Sequence, residues 1–382
     1  MEIVVSTYHL GLGGTESYTL TVAEQLQRLG HDVTVFYVEL GPGVDIGRQV
    51  GLELRNREDD LPVTCDVVFA QESITSYQLA ERYPTTPQVF AVHADEYDLS
   101  VPPQLPGVVQ ALVVLNDRIE RQVRALALAP EIVRLRQPVD TKRFYPRTAL
   151  NDPPKRALLL GNYVDLDRRD LLMHACHASG IELQQLGATS GKWATQAELE
   201  LCGADIVIGK ARVIVEAMAC GRAAYVYDHN GGDGWVTPER YLLLESDNFG
   251  GQAEPTATNL EGLRGDLAAY SPELGQANRD LAVANHSASR HGQELVSLFA
   301  RLAETPRERV DAPLREMSRL ARLQWTSEGR AMGFAAEIVR LRAELDRANA
   351  ELARREARPV GRAVRSALRR LGSPKDQGAQ SV

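Results

Sequence analysis

The sequence predicts two doubly wound α/β domains in tandem, joined by a short linker and followed by a basic helical extension. Three observations carry this. Short apolar runs alternate with helical patterns through the first 145 residues. The alternation breaks in a polar, proline-rich segment and then restarts. Beyond residue 300 it gives way to a heptad-like stripe flanked by Arg and Glu.

In the first half, "EIVVS", "DVTVFYV", "DVVFAQ", "QVFAVH" and "ALVVLN" are rich in Val, Phe and Ile. Near-continuous apolarity over four to six residues suits strands covered on both faces, as in a parallel sheet. Between the first two runs Tyr18, Val22, Leu26 and Leu29 recur at helical spacing, and Gly30 closes the helix. "PRTALNDPPKR", from Pro146 to Arg156, has no periodicity and is the expected linker, between domains at 1–147 and 156–300. After it come strand "RALLLGNY", helix "LLMHACHASG", strand "IELQQLG", another helix, strand "ADIVIG", the helix "RVIVEAMA" and strand "AAYVYD". Tandem domains of this kind face a cleft with the carboxyl ends of their strands. In the extension, 301–382, Phe334, Ile338, Leu341, Leu345, Ala348 and Leu352 follow a 4-3-4-3-4 spacing. Packing onto the body and homodimerisation through 334–352 both fit this stripe. Past Pro359, Val360, Val364, Leu368 and Leu371 share one helical face, with Arg362, Arg365, Arg369 and Arg370 on the rest.

With 382 residues, 44% hydrophobic and 25% charged, the chain reads as a soluble globular protein. Cys65, Cys176, Cys202 and Cys220 fit no zinc or redox spacing and read as small buried hydrophobes in a reducing cytoplasm. The opening carries Glu2 and no basic run, unlike a signal peptide, and no apolar run reaches transmembrane length. The net charge of −8 is uneven: from Arg301 onward 18 Lys+Arg stand against 11 Asp+Glu, a net +7, leaving −15 on residues 1–300. Such asymmetry marks a tail with its own partner.

Glu216 is the one carboxylate in the apolar run "RVIVEAMA", and a buried charge needs a partner. Gly11, Gly13 and Gly14 stand between the first strand and first helix, where backbone N–H groups approach an anion or simply make a tight turn. The dinucleotide pattern fails there, because Glu16 occupies the place of its third glycine. A second glycine stretch, "DHNGGDG", offers Gly231 and Gly232 as backbone donors in a loop, and it lacks calcium-loop spacing. His174, Cys176 and His177 read as ordinary helix surface rather than metal ligands. His93 ends a strand at the edge where such folds bind ligands, with structural and functional readings evenly balanced.

Together these residues resemble a known family. "GGTESYTLTVAEQLQRLGHDVTVF", "RLRQPVDTKRFYPR" and "VEAMACGRAAYVYDHNGG" are similar, in order and spacing, to segments of the retaining nucleotide-sugar-dependent glycosyltransferases of family 4. The resemblance extends over about the first 300 residues. It implies a GT-B architecture, two Rossmann-like domains facing a cleft, and no metal or cofactor beyond the nucleoside diphosphate sugar itself. By the same resemblance Glu216 receives the ribose hydroxyls, Gly13, Gly14, Gly231 and Gly232 face the diphosphate, and His93 lies beside the transferred sugar. The chain departs from the pattern where the family has its first Glu (here Ile208) and its two phosphate-binding cations (here Asn162 and Asp167). Lys210 and Arg212, at the start of the Glu216 helix, and Arg168 beside Arg169 are the candidate replacements; the plain alternative is solvated surface charge.

The expectation is therefore a cytoplasmic glycosyltransferase acting on a glycan or lipid-linked hydroxyl acceptor, in cell-surface glycan synthesis, with no nucleic-acid partner. The alternative is a non-catalytic relative serving as a binding or scaffold subunit. The basic segment 358–375 fits either an anionic membrane surface at the inner face of the plasma membrane or a tail docked on the acidic body.

Overall fold

The apolar runs of the sequence build two separate parallel sheets. A computed structural model of the protein describes residues 1–357 apart from 95–97, 162–163, 165, 188–189, 191–195, 230 and 255–258. The expectations for Asn162 and for the basic segment 358–375 lie outside the described residues. The chain divides into a body, Met1–Ala321, and a second unit beginning at Arg322.

In the body, β1 (Glu2–His9), α1 (Gly14–Arg28), β2 (Asp32–Glu39), α2 (Gly43–Gln49), β3 (Glu53–Arg55), β4 (Val67–Ala70), α3 (Ser73–Arg82), β5 (Gln88–Val92), β6 (Ala111–Val114), α4 (Asp117–Ala125) and β7 (Glu131–Arg134) form the first domain. Its sheet runs β3-β2-β1-β4-β5-β6-β7, with every pairing parallel. The five apolar runs are the five central strands. The edges β3 and β7 were not expected, since "ELR" and "EIVR" carry charge and are half-exposed.

The second domain holds β8 (Arg156–Leu160), α5 (Leu166–Ala178), β9 (Glu182–Leu186), α6 (Ala197–Cys202), β10 (Ile206–Gly209), α7 (Arg212–Ala219), β11 (Ala223–Asp228), β12 (Gly231–Trp235), α8 (Tyr241–Ser246), α9 (Leu260–Ala268) and α10 (Glu273–Asn285). Its sheet order is β12-β11-β10-β8-β9, parallel except for antiparallel β12. Here the structure corrects the glycine loop: Gly231 and Gly232 are buried in strand β12, opposite Asp228 and Tyr227 of β11. Gly231 has φ +136°, and a Cβ there would come within 2.7 Å of the Gly251 carbonyl, so this edge tolerates only glycine.

The chain crosses between domains twice, and the two crossings lie side by side. Val139 N–H donates to the His286 carbonyl at 2.8 Å, and Ala288 N–H donates to the Val139 carbonyl at 3.0 Å. The second crossing leads into α11 (Ala288–Ala303), whose Leu295, Leu298 and Phe299 belong to the first domain's core with Tyr18, Leu26 and Phe69. So the span 156–300, read from sequence as the second domain, ends in a helix that completes the first. Arg307 follows, buried beneath the same domain, donating to the carbonyls of Ala80, Tyr83, Thr86 and Gly107. Finally α12 (Leu314–Ala357) runs for 44 residues, beginning in the body and continuing as the second unit. Among the described residues no helix is long and apolar enough to cross a membrane.

Candidate active site

Two helix starts converge on one cleft. Gly13 is the N-cap of α1 and Ala211 that of α7, and neither helix has a side-chain cap. The first turn of a helix carries unpaired N–H groups and a partial positive charge, which together attract anions. Gly11, Gly13 and Gly14 line the cleft from the first domain; Gly161, Gly187, Arg212 and Glu216 line it from the second, with Arg143 of the first crossing. The free volume is about 200 Å³, below the 300–1,000 Å³ usual for ligand pockets, so a nucleotide-sized ligand requires the cleft to widen.

The close approach of two loops shapes the α1 side. A Cβ on Gly43 would lie 2.5 Å from the Gly11 carbonyl, and one on Gly41 2.5 Å from the Leu10 carbonyl. The "GPG" stretch at 41–43 thus backs the Gly11–Gly14 loop, a role the sequence reading missed.

The α7 side answers what Glu216 holds. Its carboxylate is 2.7 Å from Arg212 Nε, one helical turn away, and both side chains are only about a tenth exposed. Burial raises the Glu216 pKa, and Arg212 opposes that shift. The arginine also reaches across the cleft, donating from Nη2 to Thr21 Oγ1 of α1 at 3.0 Å and from Nη1 to the Pro138 carbonyl at 3.4 Å. In this closed arrangement, then, one arginine ties α7, α1 and the first crossing together. Just before it, Ala211 has φ +50° and ψ −124°, a conformation costly for any residue with a Cβ. That kink separates Lys210 from Arg212.

Lys210 points to a second cluster at the carboxyl edge of the second sheet. Its Nζ is 3.7 Å from Asp228 Oδ2 and 3.4 Å from His229 Nδ1, while Arg168 donates to the Asp228 carbonyl at 3.3 Å. This cluster adjoins Gly161, whose ideal Cβ position is 3.9 Å from Asp228 Oδ2, and so borders the cleft. Asp167, Gly231 and Gly232 are not among the cleft-lining residues. Ile208 is fully buried in β10.

His93 sits apart from both groups, at the end of β5. Gln71 donates its amide N–H to the Phe69 carbonyl, which leaves Gln71 Oε1 to accept from His93 Nε2 at 2.8 Å. The imidazole therefore carries its proton on Nε2 and presents Nδ1 as an acceptor. Burial, then the neighbouring His291 and the Arg212 charge, push its pKa down to about 3, so the ring is neutral at ordinary pH. The Tyr18 ring packs edge-on against it at 4.7 Å. His174 and His177 are exposed on α5, and among the described residues no group of three or more His, Cys, Asp or Glu gathers to hold a metal.

Two Rossmann-like domains, two crossings and a cleft framed by helix starts define the GT-B fold. Anabaena HepE in complex with UDP-glucose matches 79% of this chain over 100% of its own, with TM-score 0.59 and 11% identity. The glycosyltransferase WaaG, involved in lipopolysaccharide biosynthesis, matches 78% of this chain over 99% of its own, with TM-score 0.52 and 14% identity. An α-glucosyltransferase in complex with UDP and a DNA containing an HMU base matches 78% over 99%, with TM-score 0.55 and 12% identity. At such identities the likeness establishes the fold. No family model and no curated protein matches the sequence.

Proposed function

We propose that the chain is a glycosyltransferase of the retaining, family 4 type, moving a sugar from a nucleoside diphosphate to an acceptor hydroxyl without a metal. The observation that carries this reading is the convergence of two uncapped helix starts, a buried carboxylate and Arg212 on one cleft. Glu216 would exchange its contact with Arg212 for the ribose hydroxyls. The freed guanidinium, with Lys210 and Arg168 at the neighbouring edge, would then meet the diphosphate, replacing the cations absent at Asn162 and Asp167. His93 Nδ1 would accept from a hydroxyl of the transferred sugar. In the reaction the anomeric carbon's bond to the β-phosphate oxygen breaks, the acceptor oxygen takes its place, and the acceptor proton leaves with the diphosphate. Fixed dipoles and cations stabilise the charge that develops on the leaving group, so no protein nucleophile is needed. A cell-surface glycan or lipid-linked acceptor and a cytoplasmic, membrane-peripheral location belong to the same reading.

The deciding experiment is a thermal-shift screen with UDP-, GDP- and ADP-sugars, followed by donor hydrolysis without acceptor. Ligand at about 100 times its Kd stabilises the native state by roughly 2.7 kcal/mol. A donor that stabilises the protein and is slowly hydrolysed is the expected result. Stabilisation without any turnover would instead identify a non-catalytic binding subunit, and no shift with any nucleotide sugar would reject the reading.

A further inference from the structure

We propose that residues 334–352 of α12 form a parallel two-stranded coiled coil with a second copy of this chain. The helix is unbroken through this span, and Phe334, Ile338, Leu341, Leu345 and Leu352 are each 49–68% exposed. A lone exposed leucine is ordinary, but five large apolar side chains that, with Ala348, follow alternating spacings of four and three make a packing seam. In heptad terms Ile338, Leu345 and Leu352 take position a, and Phe334, Leu341 and Ala348 take position d.

The charges beside the seam select the occupant and its direction. Glu337, Glu344 and Glu351 fall on g positions, and Arg342 falls on an e position. In a parallel, in-register pair g faces the e position five residues on, so Glu337 of each copy meets Arg342 of the other, Glu344 meets Asn349, and Glu351 meets Glu356 only beyond the last seam residue. An antiparallel pair would set the glutamate rows against each other, at an electrostatic cost. The same acidic row disfavours an anionic membrane as the covering surface. At about 1.5 Å per residue the seam is roughly 28 Å long, short for a coiled coil, so a weak, concentration-dependent association is expected.

Sedimentation and light scattering of the full chain from about 0.1 to 100 µM test this. The expected result is a mass that doubles within that range. Leu341→Glu with Leu345→Glu should hold the protein monomeric with an unchanged melting temperature, while Ala350→Glu, on the outer f position, should leave the dimer intact. Glu337→Arg alone and Arg342→Glu alone should each weaken the dimer about threefold or more, and the double exchange should restore it. Several results would overturn the proposal: a monomer throughout, an assembly larger than two, a dimer that survives the paired glutamates, or tighter association from Glu337→Arg alone. A seam variant that lowers the melting temperature, or that abolishes binding to anionic vesicles without affecting mass, would also overturn it by assigning the seam to the chain's own body or to a lipid surface.

Discussion

Glu216 was legible in the sequence because a single carboxylate in an apolar helix demands a partner. The partner itself was half legible. Arg212 lies one turn away, where an ion pair is natural, but its reach to Thr21 spans 191 residues and leaves no local trace. Replacing Glu216 by Gln keeps the shape and removes the charge. Hydrogen bonds to a charged group are worth about 1.5–3 kcal/mol, so donor affinity should fall about tenfold or more by titration calorimetry. Unchanged affinity for every nucleotide sugar would remove Glu216 from the donor site. Ala211 gives a second expectation at this scale. Its positive φ costs about 1–3 kcal/mol, and glycine would relieve that while adding about 0.5–1 kcal/mol of chain entropy. Ala211→Gly should therefore stabilise the fold by about 1 kcal/mol in urea melts, yet weaken donor binding by loosening the turn that separates Lys210 from Arg212. A stability loss would show that the kink is not strained.

At the level of elements, central strands announced themselves, while of the edge strands only β9 did and β3, β7 and β12 did not. "DVVFAQ" and "ADIVIG" are covered on both faces, so burial imposes unbroken apolarity; "EIVR" and "ELR" face solvent and carry charge freely. β12 was hidden for a different reason, since "GGDGW" is held by backbone pairing and close approach rather than by propensity. The expected linker, Pro146 to Arg156, has an anchor that leaves no local signal in the sequence. Arg222, 1% exposed, donates to the carbonyls of Cys220, Ala204 and Thr148 and so ties the linker to the ends of α6 and α7. Arg222→Met fills similar space but strands those carbonyls, at about 1–3 kcal/mol for each that finds no water. A drop of several kcal/mol in unfolding free energy is expected, and a change below about 1 kcal/mol would show that the carbonyls find other donors.

For the molecule as a whole, the two crossings are pinned in matching ways. Tyr18 OH donates to His291 Nε2, whose Nδ1–H donates to the Arg136 carbonyl; Tyr241 OH donates to His286 Nε2, whose Nδ1–H donates to the Gln137 carbonyl. One chain of bonds runs from the first domain and the other from the second, to adjacent carbonyls of the first crossing. Sequence could not show this, because each link joins residues at least 45 apart. Burial lowers both histidines to about 4, with the bond each makes to its carbonyl opposing the shift. Both rings stay neutral in the fold at pH values where the unfolded chain, with histidines near 6.5, takes up protons. Their contribution is therefore complete above about pH 6.5 and is lost as pH falls towards 4. Near pH 5 the slope should approach about 2.7 kcal/mol per pH unit for the two together. Chemical denaturation between pH 7 and 4.5 measures it, and His286→Gln with His291→Gln should remove that share, leaving the slope of about 1.4 kcal/mol per pH unit that buried His93 contributes. An equally steep profile in that variant would assign the acid sensitivity elsewhere.

The adjacency of Val139 and Ser287 means that the second domain is, topologically, an insert: the chain leaves the first domain and re-enters it at the same place. Stopping the chain anywhere before α11 would strip Leu295, Leu298 and Phe299 from a core laid down some 200 residues earlier, so simple truncation yields no intact first half. Excision is the workable dissection. Deleting 139–286 and splicing the neighbouring ends should leave a self-sufficient first domain, a recombinant module into which other domains of the same fold as the second can be grafted at a single seam.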